Sequence, residues 1–228
     1  MVEQLIRNQQ VVGSSPILGS TLVPPSPNRQ IPRPGRAATA FGRLWLRVFG
    51  WRVEGDVPDV SRAVFVAAPH TSNWDLAHML AASWVFRIRL SWVGKHTLFT
   101  VPLWGRFLRT LGGVPVDRRA RHGFVGEAAA RIRDAEEGCL LAIPPSGTRS
   151  RAPHWKSGFY HIAVSAGVPI VLGSLDYAKR RAVLGPVIAP SGDIAADMDR
   201  IRAFYLDKRG RHPAQETPVR LKDEGGAD

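Results

Sequence analysis

The chain is poor in cysteine, poor in acids and without a long apolar run. Cys139 is its single cysteine, so no internal disulfide can form. It sits in the apolar run 139–143, where a small buried core residue is expected rather than a nucleophile or metal ligand. A cytosolic setting is compatible with that thiol content. No apolar stretch approaches the ~18 residues that a membrane-spanning helix needs. No basic start leads into a signal-type apolar segment either. An inserted or secreted protein is therefore not expected, whereas peripheral attachment stays open. Acids number 19 against 31 lysines and arginines, for a net charge of +12. Such an excess points to an anionic partner: nucleic acid, acidic lipid or a phosphorylated substrate. Most of it is arginine, whose planar fork grips phosphate. Zinc-finger spacing, an aromatic ribonucleoprotein motif and a long basic helix with heptads are all missing. Lipid surface and substrate phosphate are thus the expected partners, and nucleic acid is not. There is no internal repeat, and no Gly-x-Ser-x-Gly elbow to present a serine nucleophile.

What is present suits one sizeable α/β domain. The chain has 228 residues and 44% hydrophobic content, enough for a real core. Residues 1–40 hold Pro24-Pro25-Ser26-Pro27 and Pro32-Arg33-Pro34-Gly35, a proline density that resists helix and sheet, so a disordered tail is expected there. A domain over 41–212 follows, and a loose polar tail over 213–228. The domain opens with an acid-free amphipathic segment, 41–52. As a helix it stacks Leu44 on Val48 and Trp45 on Phe49, with Arg43 and Arg47 on another side. Gly50 ends it in a left-handed cap. Such a helix suits a bilayer interface, and equally suits packing on its own domain with the arginines in water. Beyond it, strands are expected at 63–68, 91–94, 114–117, 139–143, 168–175 and 181–188, and helices at 76–89, 101–111, 123–136, 158–166 and 194–208. That alternation argues for a mostly parallel central sheet flanked by helices.

The stretch His70-Thr71-Ser72-Asn73-Trp74-Asp75 carries the chemistry. Pro69 ends the strand before it, so His70 stands at a strand's carboxyl end, where open α/β sheets place their ligands. Asp75 falls in the first turn of the next helix, from which its carboxylate can reach one ring nitrogen of His70 and fix the tautomer. The other nitrogen is then free to take a proton. With no serine nucleophile, the simplest completion is a dyad acting on a hydroxyl that arrives with the substrate, in a single-step acyl transfer. The same residues also read as a helix-capping segment, with Thr71, Ser72 or Asn73 as cap and Asp75 in the favourable first turn. His78 is expected on a helix flank. His154 and His161 have no carboxylate at comparable spacing and are expected to be structural.

Three further blocks follow in order: Gly112-Gly113-Val114-Pro115-Val116-Asp117-Arg118, Pro145-Ser146-Gly147-Thr148-Arg149-Ser150, and Gly167-Val168-Pro169-Ile170-Val171. With the histidine block they resemble the glycerolipid acyltransferase family over about 51–187. Lys95, Phe99, Pro102 and Gly105 also fall where relatives carry a lysine and the start of a helix. The resemblance implies a glycerol-3-phosphate acyltransferase-like fold. It also implies transfer of a fatty acyl group from an acyl thioester, on coenzyme A or acyl carrier protein, to the free hydroxyl of a lysophosphatidic acid-like acceptor. His70 and Asp75 are then the catalytic dyad. Arg118 and Arg149 are the expected phosphate ligands, joined by Gly147 and Thr148, with Ser146 and Lys95 also substrate-binding. Arg119, Arg121 and Arg151 contribute field, and the loop 150–156 rims the substrate mouth. No cofactor and no metal are implied, and the oligomeric state is left open. The expected location is cytoplasmic, peripheral on the inner face of the cell membrane.

Three departures from the family's pattern matter. Ser146 stands where the family carries a glutamate that helps organise the acceptor site. Pro115 replaces an aromatic residue, and the fourth block lacks its second proline. A catalytically weakened member that binds anionic lipid surfaces is therefore the alternative reading.

Overall fold

The structure, a computed structural model, describes residues 33–116, 123–222 and 224. Two strands, β2 (Arg62–Ala67) and β5 (Cys139–Ile143), bury their side chains on both faces, as strands covered by helices on both sides must. They pair in parallel near the middle of a seven-stranded sheet of order β1-β7-β6-β2-β5-β3-β4. β3 (Leu90–Lys95) and β4 (Gly113–Val116) extend it past β5, and β6 (Ile170–Asp176) flanks β2, all in parallel. β7 (Arg181–Ile188) is the exception, antiparallel to β6. Only residues 177–180 separate the two, too few for the crossover that a parallel return requires. β1 (Arg52–Glu54) closes that edge parallel to β7. This short strand was not foreseen, since three residues on an exposed edge carry no alternation.

Alternate side chains of the central strands feed two cores. Val64, Val66, Leu141 and Ile143 face α4 (Phe124–Asp134), α5 (Gly158–Ala166) and α6 (Ile194–Tyr205). Ala63, Phe65, Leu140 and Ala142 face α2 (Trp74–Val85) and α3 (Pro102–Thr110). The bounds of β5, β7 and α5 coincide with those expected; Gly138 and the pair Pro144-Pro145 punctuate β5, and Gly167 ends α5.

Two sequence boundaries are corrected. The first helix, α1, spans Arg36–Val48, so it starts inside the stretch expected to be tail. The last proline of that stretch is Pro34, and the alanines after it favour helix. Thr39, Gly42 and Leu46 bury against the domain. A Cβ at Gly42 would stand 2.6 Å from the Ala81 carbonyl oxygen, so glycine is what lets α1 lie directly on α2. Gly50 takes a φ of +69° just past the helix, as a left-handed cap demands. At the other end, residues 213–222 are fastened rather than loose. Leu221 is buried in the core, the Trp155 amide donates to the Arg220 carbonyl at 2.8 Å, and Arg202 Nε donates to the Val219 carbonyl at 3.0 Å. These partners are remote in sequence, so the segment's polar composition concealed them.

Candidate active site

β2 ends at Ala67, and the chain turns through Pro69 to put His70 and the α2 N-terminus over the carboxyl edge of the sheet. Asp75 lies in the first turn of α2 and is 5% exposed. Its Oδ2 stands 3.0 Å from His70 Nδ1 and accepts the Thr71 and Ser72 backbone N–H groups, each at 2.9 Å. Its Oδ1 accepts the Tyr177 hydroxyl at 2.7 Å. Burial pushes the Asp75 carboxyl up, but hydrogen bonds from His70, Tyr177 and the Ser72 amide outweigh it and leave the pKa lowered. An ionised carboxylate accepts only, so His70 donates to it from Nδ1, and in the neutral ring this leaves the lone pair on Nε2. Ser72 belongs to the turn: its Oγ accepts the Trp74 N–H at 3.2 Å.

Tyr177 was not singled out in the sequence, and no local pattern marks it. It follows β6, where its backbone N–H donates to the Arg209 carbonyl at 2.8 Å and its ring meets Trp51 edge-on with centroids 4.8 Å apart. Burial and the Asp75 carboxylate push its phenol well above the usual range. Tyr177→Phe leaves Oδ1 without that donor and is expected to cost about 1–3 kcal/mol of stability at neutral pH. The sign of the pH dependence follows from Asp75. A carboxyl depressed in the fold contributes stability above its ordinary value of 3.8 and loses it as pH falls through the lower folded value. The stability gap between parent and variant, read by denaturant titration, should therefore be full at neutral pH and narrow below 3.8. A gap constant down to acid unfolding would remove Tyr177 from this role.

His78, expected on a helix flank, is buried in an aromatic cluster instead. Trp51 stacks on it at 4.7 Å, and Phe49 and Trp74 pack around it. Trp45 Nε1 donates to its Nδ1 at 3.1 Å. Burial holds its pKa down, the Asp75 charge opposes this, and Arg211 adds to it. One helical turn beyond Asp75, a neutral imidazole thus joins α1 to α2.

A cavity of about 500 Å³ opens at His70. His70, Asp75, Lys95, Gly147, Thr148 and Arg149 all contribute to its lining. They meet because β2, β3 and β5 are parallel neighbours, so that their carboxyl ends share one edge. The rest of the wall is apolar: Leu76 and Met79 of α2 with Phe86 just past its end on one side, Phe65, Trp92 and Ala142 of the sheet on the other. Ser146 is buried beside the cavity but does not line it; its Oγ donates to the Thr148 carbonyl at 2.7 Å. Arg118, Arg119 and Arg121 lie outside the described residues, two or more positions past Val116, which pairs with Lys95. No residue of the loop 150–156, expected at the rim, is in the cavity lining. Trp155 anchors that loop in the core. The Lys156 ammonium lies against Gly147, 3.1 Å from where a Cβ would stand, and Gly147 takes a φ of +65°. His154 and His161 are not in the lining, and burial pushes the Cys139 thiol up. Among the described residues no group of three His, Cys, Asp or Glu side chains could hold a metal ion.

The two motif loops are braced from behind. With its amide turned so that the nitrogen faces them, the Gln215 side chain can donate to the Thr71 carbonyl at 3.2 Å and to the Arg149 carbonyl at 3.0 Å. The His212 N–H donates to Thr71 Oγ1 at 3.2 Å.

Residues 51–172, over half of the chain, match the acyltransferase family. The chain belongs to that family. It is 34% identical over 147 residues to a 1-acyl-sn-glycerol-3-phosphate acyltransferase of Haemophilus influenzae, covering 60% of this chain and 58% of the relative. It is 30% identical over 153 residues to the enzyme of that name from Escherichia coli, covering 61% and 60%. The chain thus spans under two thirds of the length of these curated relatives. The crystal structure of the 1-acyl-sn-glycerophosphate acyltransferase of Thermotoga maritima has the same fold, with a TM-score of 0.52 and 21% identity, covering 75% of this chain and 74% of that one.

Proposed function

We propose that the chain is an O-acyltransferase that moves a fatty acyl group from an acyl thioester to the free hydroxyl of a lysophosphatidic acid-like acceptor. One observation carries the reading: the His70 ring, oriented by Asp75, lines the same cavity as Lys95 and Arg149. A proton acceptor and anion-binding cations then share one pocket with an apolar interior. The acceptor's phosphate sits by Arg149 and Lys95, with Thr148 and the Gly147 backbone beside it. Arg118 is assigned to the same phosphate on the family's pattern. An acyl chain occupies the apolar part between α2 and the sheet. His70 Nε2 takes the hydroxyl proton as the oxygen attacks the thioester carbonyl. The tetrahedral intermediate collapses, the C–S bond breaks, and the imidazolium returns the proton to the thiolate. Asp75 stabilises the imidazolium in between. Coenzyme A or acyl carrier protein brings the acyl group as substrate, and no resident cofactor enters.

No helix among the described residues is long and apolar enough to cross a membrane. Phe41, Leu44 and Val48 of α1 are nevertheless exposed, beside Arg43 and Arg47. This supports peripheral attachment to an anionic bilayer through α1, at the cytoplasmic face of the cell membrane.

The test is an acyl-transfer assay with both donors against lysophosphatidic acid and other lysolipids, reading product and released thiol together. Product matched by thiol is expected. Thiol released without an acceptor points to a hydrolase. Vesicle binding without transfer to any acceptor is the result expected of a weakened member with Ser146 in the glutamate position. Arg149→Ala is expected to raise the acceptor's KM on the order of tenfold, since a charge-assisted hydrogen bond is worth about 1.5–3 kcal/mol and this one is exposed. The donor's KM should not move. An unchanged acceptor KM removes Arg149 from the phosphate site.

A further inference from the structure

α3 turns an apolar face to solvent. Leu103 is 81% exposed, Val101 56% and Phe107 49%, while of α3 only Gly105 and Leu108 are buried. An apolar patch of this kind marks an interaction surface. Its chemistry narrows the partner. From Leu76 to Val116 the chain contains no Asp or Glu, and Arg106 and Arg109 stand among the apolar residues of the helix. A second copy docked here would set these arginines against their own equivalents. A nucleic acid would use the arginines and leave Leu103 and Phe107 in water. An anionic bilayer satisfies both, apolar and aromatic side chains below the headgroups and guanidiniums at the phosphates.

Position adds a second argument. Trp104 is half exposed and, with Leu98, lines the cavity that holds His70. The patch is therefore continuous with the cavity wall. It also adjoins the apolar face of α1, because Phe41 of α1 and Thr110 of α3 line one shallow pocket. We infer that α3 is a docking surface for an anionic phospholipid bilayer, seated so that the acceptor lipid passes from the membrane into the cavity beside Trp104. The docking stands on this surface alone, and only the lipid's route rests on the acyltransferase reading.

The experiment uses the full chain and the double variant Leu103→Asp/Phe107→Asp. Neither residue lines the cavity; the Phe107 ring reaches it only through Trp104, with centroids 5.5 Å apart, and transfer to a soluble acceptor checks that the site is intact. Sedimentation with phosphatidylcholine vesicles containing phosphatidylglycerol is expected to show parental binding reduced about tenfold or more in the variant, because two apolar side chains are no longer withdrawn from water. Val164→Asp, an equally exposed site on α5 across the sheet, should bind like the parent. Transfer to an acceptor embedded in vesicles should fall in the double variant, with transfer to a short-chain soluble acceptor unchanged. Equal vesicle binding by parent and double variant overturns the docking surface, as does a loss of self-association in place of a loss of vesicle binding. Binding lost with embedded-acceptor turnover unchanged overturns the route. If no chain transfers acyl groups while vesicle binding still falls, the docking stands and the proposed reaction is what fails.

Discussion

His70→Ala is expected to lower kcat for acyl transfer by on the order of 100- to 10,000-fold, the usual contribution of a positioned general base. The fold should survive. The ring is partly solvent-exposed, and without it Asp75 Oδ2 keeps both backbone donors, Thr71 and Ser72. Circular dichroism and thermal melting should therefore match the parent while turnover collapses. The acceptor's KM should change little, since the proposed phosphate ligands Lys95 and Arg149 lie elsewhere in the cavity lining. Purified His70→Ala protein that acylates lysophosphatidic acid at the parental rate would falsify the proposed mechanism.

Asp75→Asn is expected to act nearly as strongly, lowering kcat on the order of 100-fold or more. Asparagine keeps the volume and one acceptor oxygen. Placed where Oδ2 stands, that oxygen still accepts the Thr71 and Ser72 N–H groups and His70 Nδ1, while the amide nitrogen faces a Tyr177 hydroxyl that can turn to accept. The chain should thus remain folded. What is lost is the negative charge beside the imidazolium that forms as the substrate proton moves. If the amide turns the other way, its N–H₂ group meets Nδ1 and fixes the wrong tautomer. Either outcome slows chemistry without touching the phosphate site. A kcat within a few-fold of the parent for a folded Asp75→Asn variant means that the pair does not operate as a dyad.

Much of this architecture was legible because it is local. The apolar run of β5 declares a doubly buried strand, and the Gly167 turn declares the end of α5. The six-residue stretch from His70 to Asp75 carries its own geometry, since a strand end and a helix start fix how far the two side chains can be apart. Long-range pairings were not legible. Tyr177 meets Asp75 across 102 positions, and nothing beside a tyrosine after a strand says which carboxylate it will find. His78 has the spacing of a helix flank and became buried because α1 brought Trp45, Phe49 and Trp51 down on it. The C-terminal residues read as loose because their anchors lie far away in sequence, Trp155 on the Arg220 backbone and Arg202 on the Val219 carbonyl, and composition does not record such bonds. Ser146 stands where the family carries a glutamate, and its hydroxyl donates to the Thr148 carbonyl within its own turn, a contact that the substitution alone does not announce.

The Gln215 amide has a consequence for selectivity. Turned so that its nitrogen faces the carbonyls of Thr71 and Arg149, it would tie the two loops together and set the span between the proposed proton acceptor and the proposed anion ligand. A polyol acceptor anchored at its charged end presents one carbon, and not its neighbour, at that span. Regiochemistry would then be written in the backbone brace behind the pocket rather than in any side chain that touches the reacting oxygen.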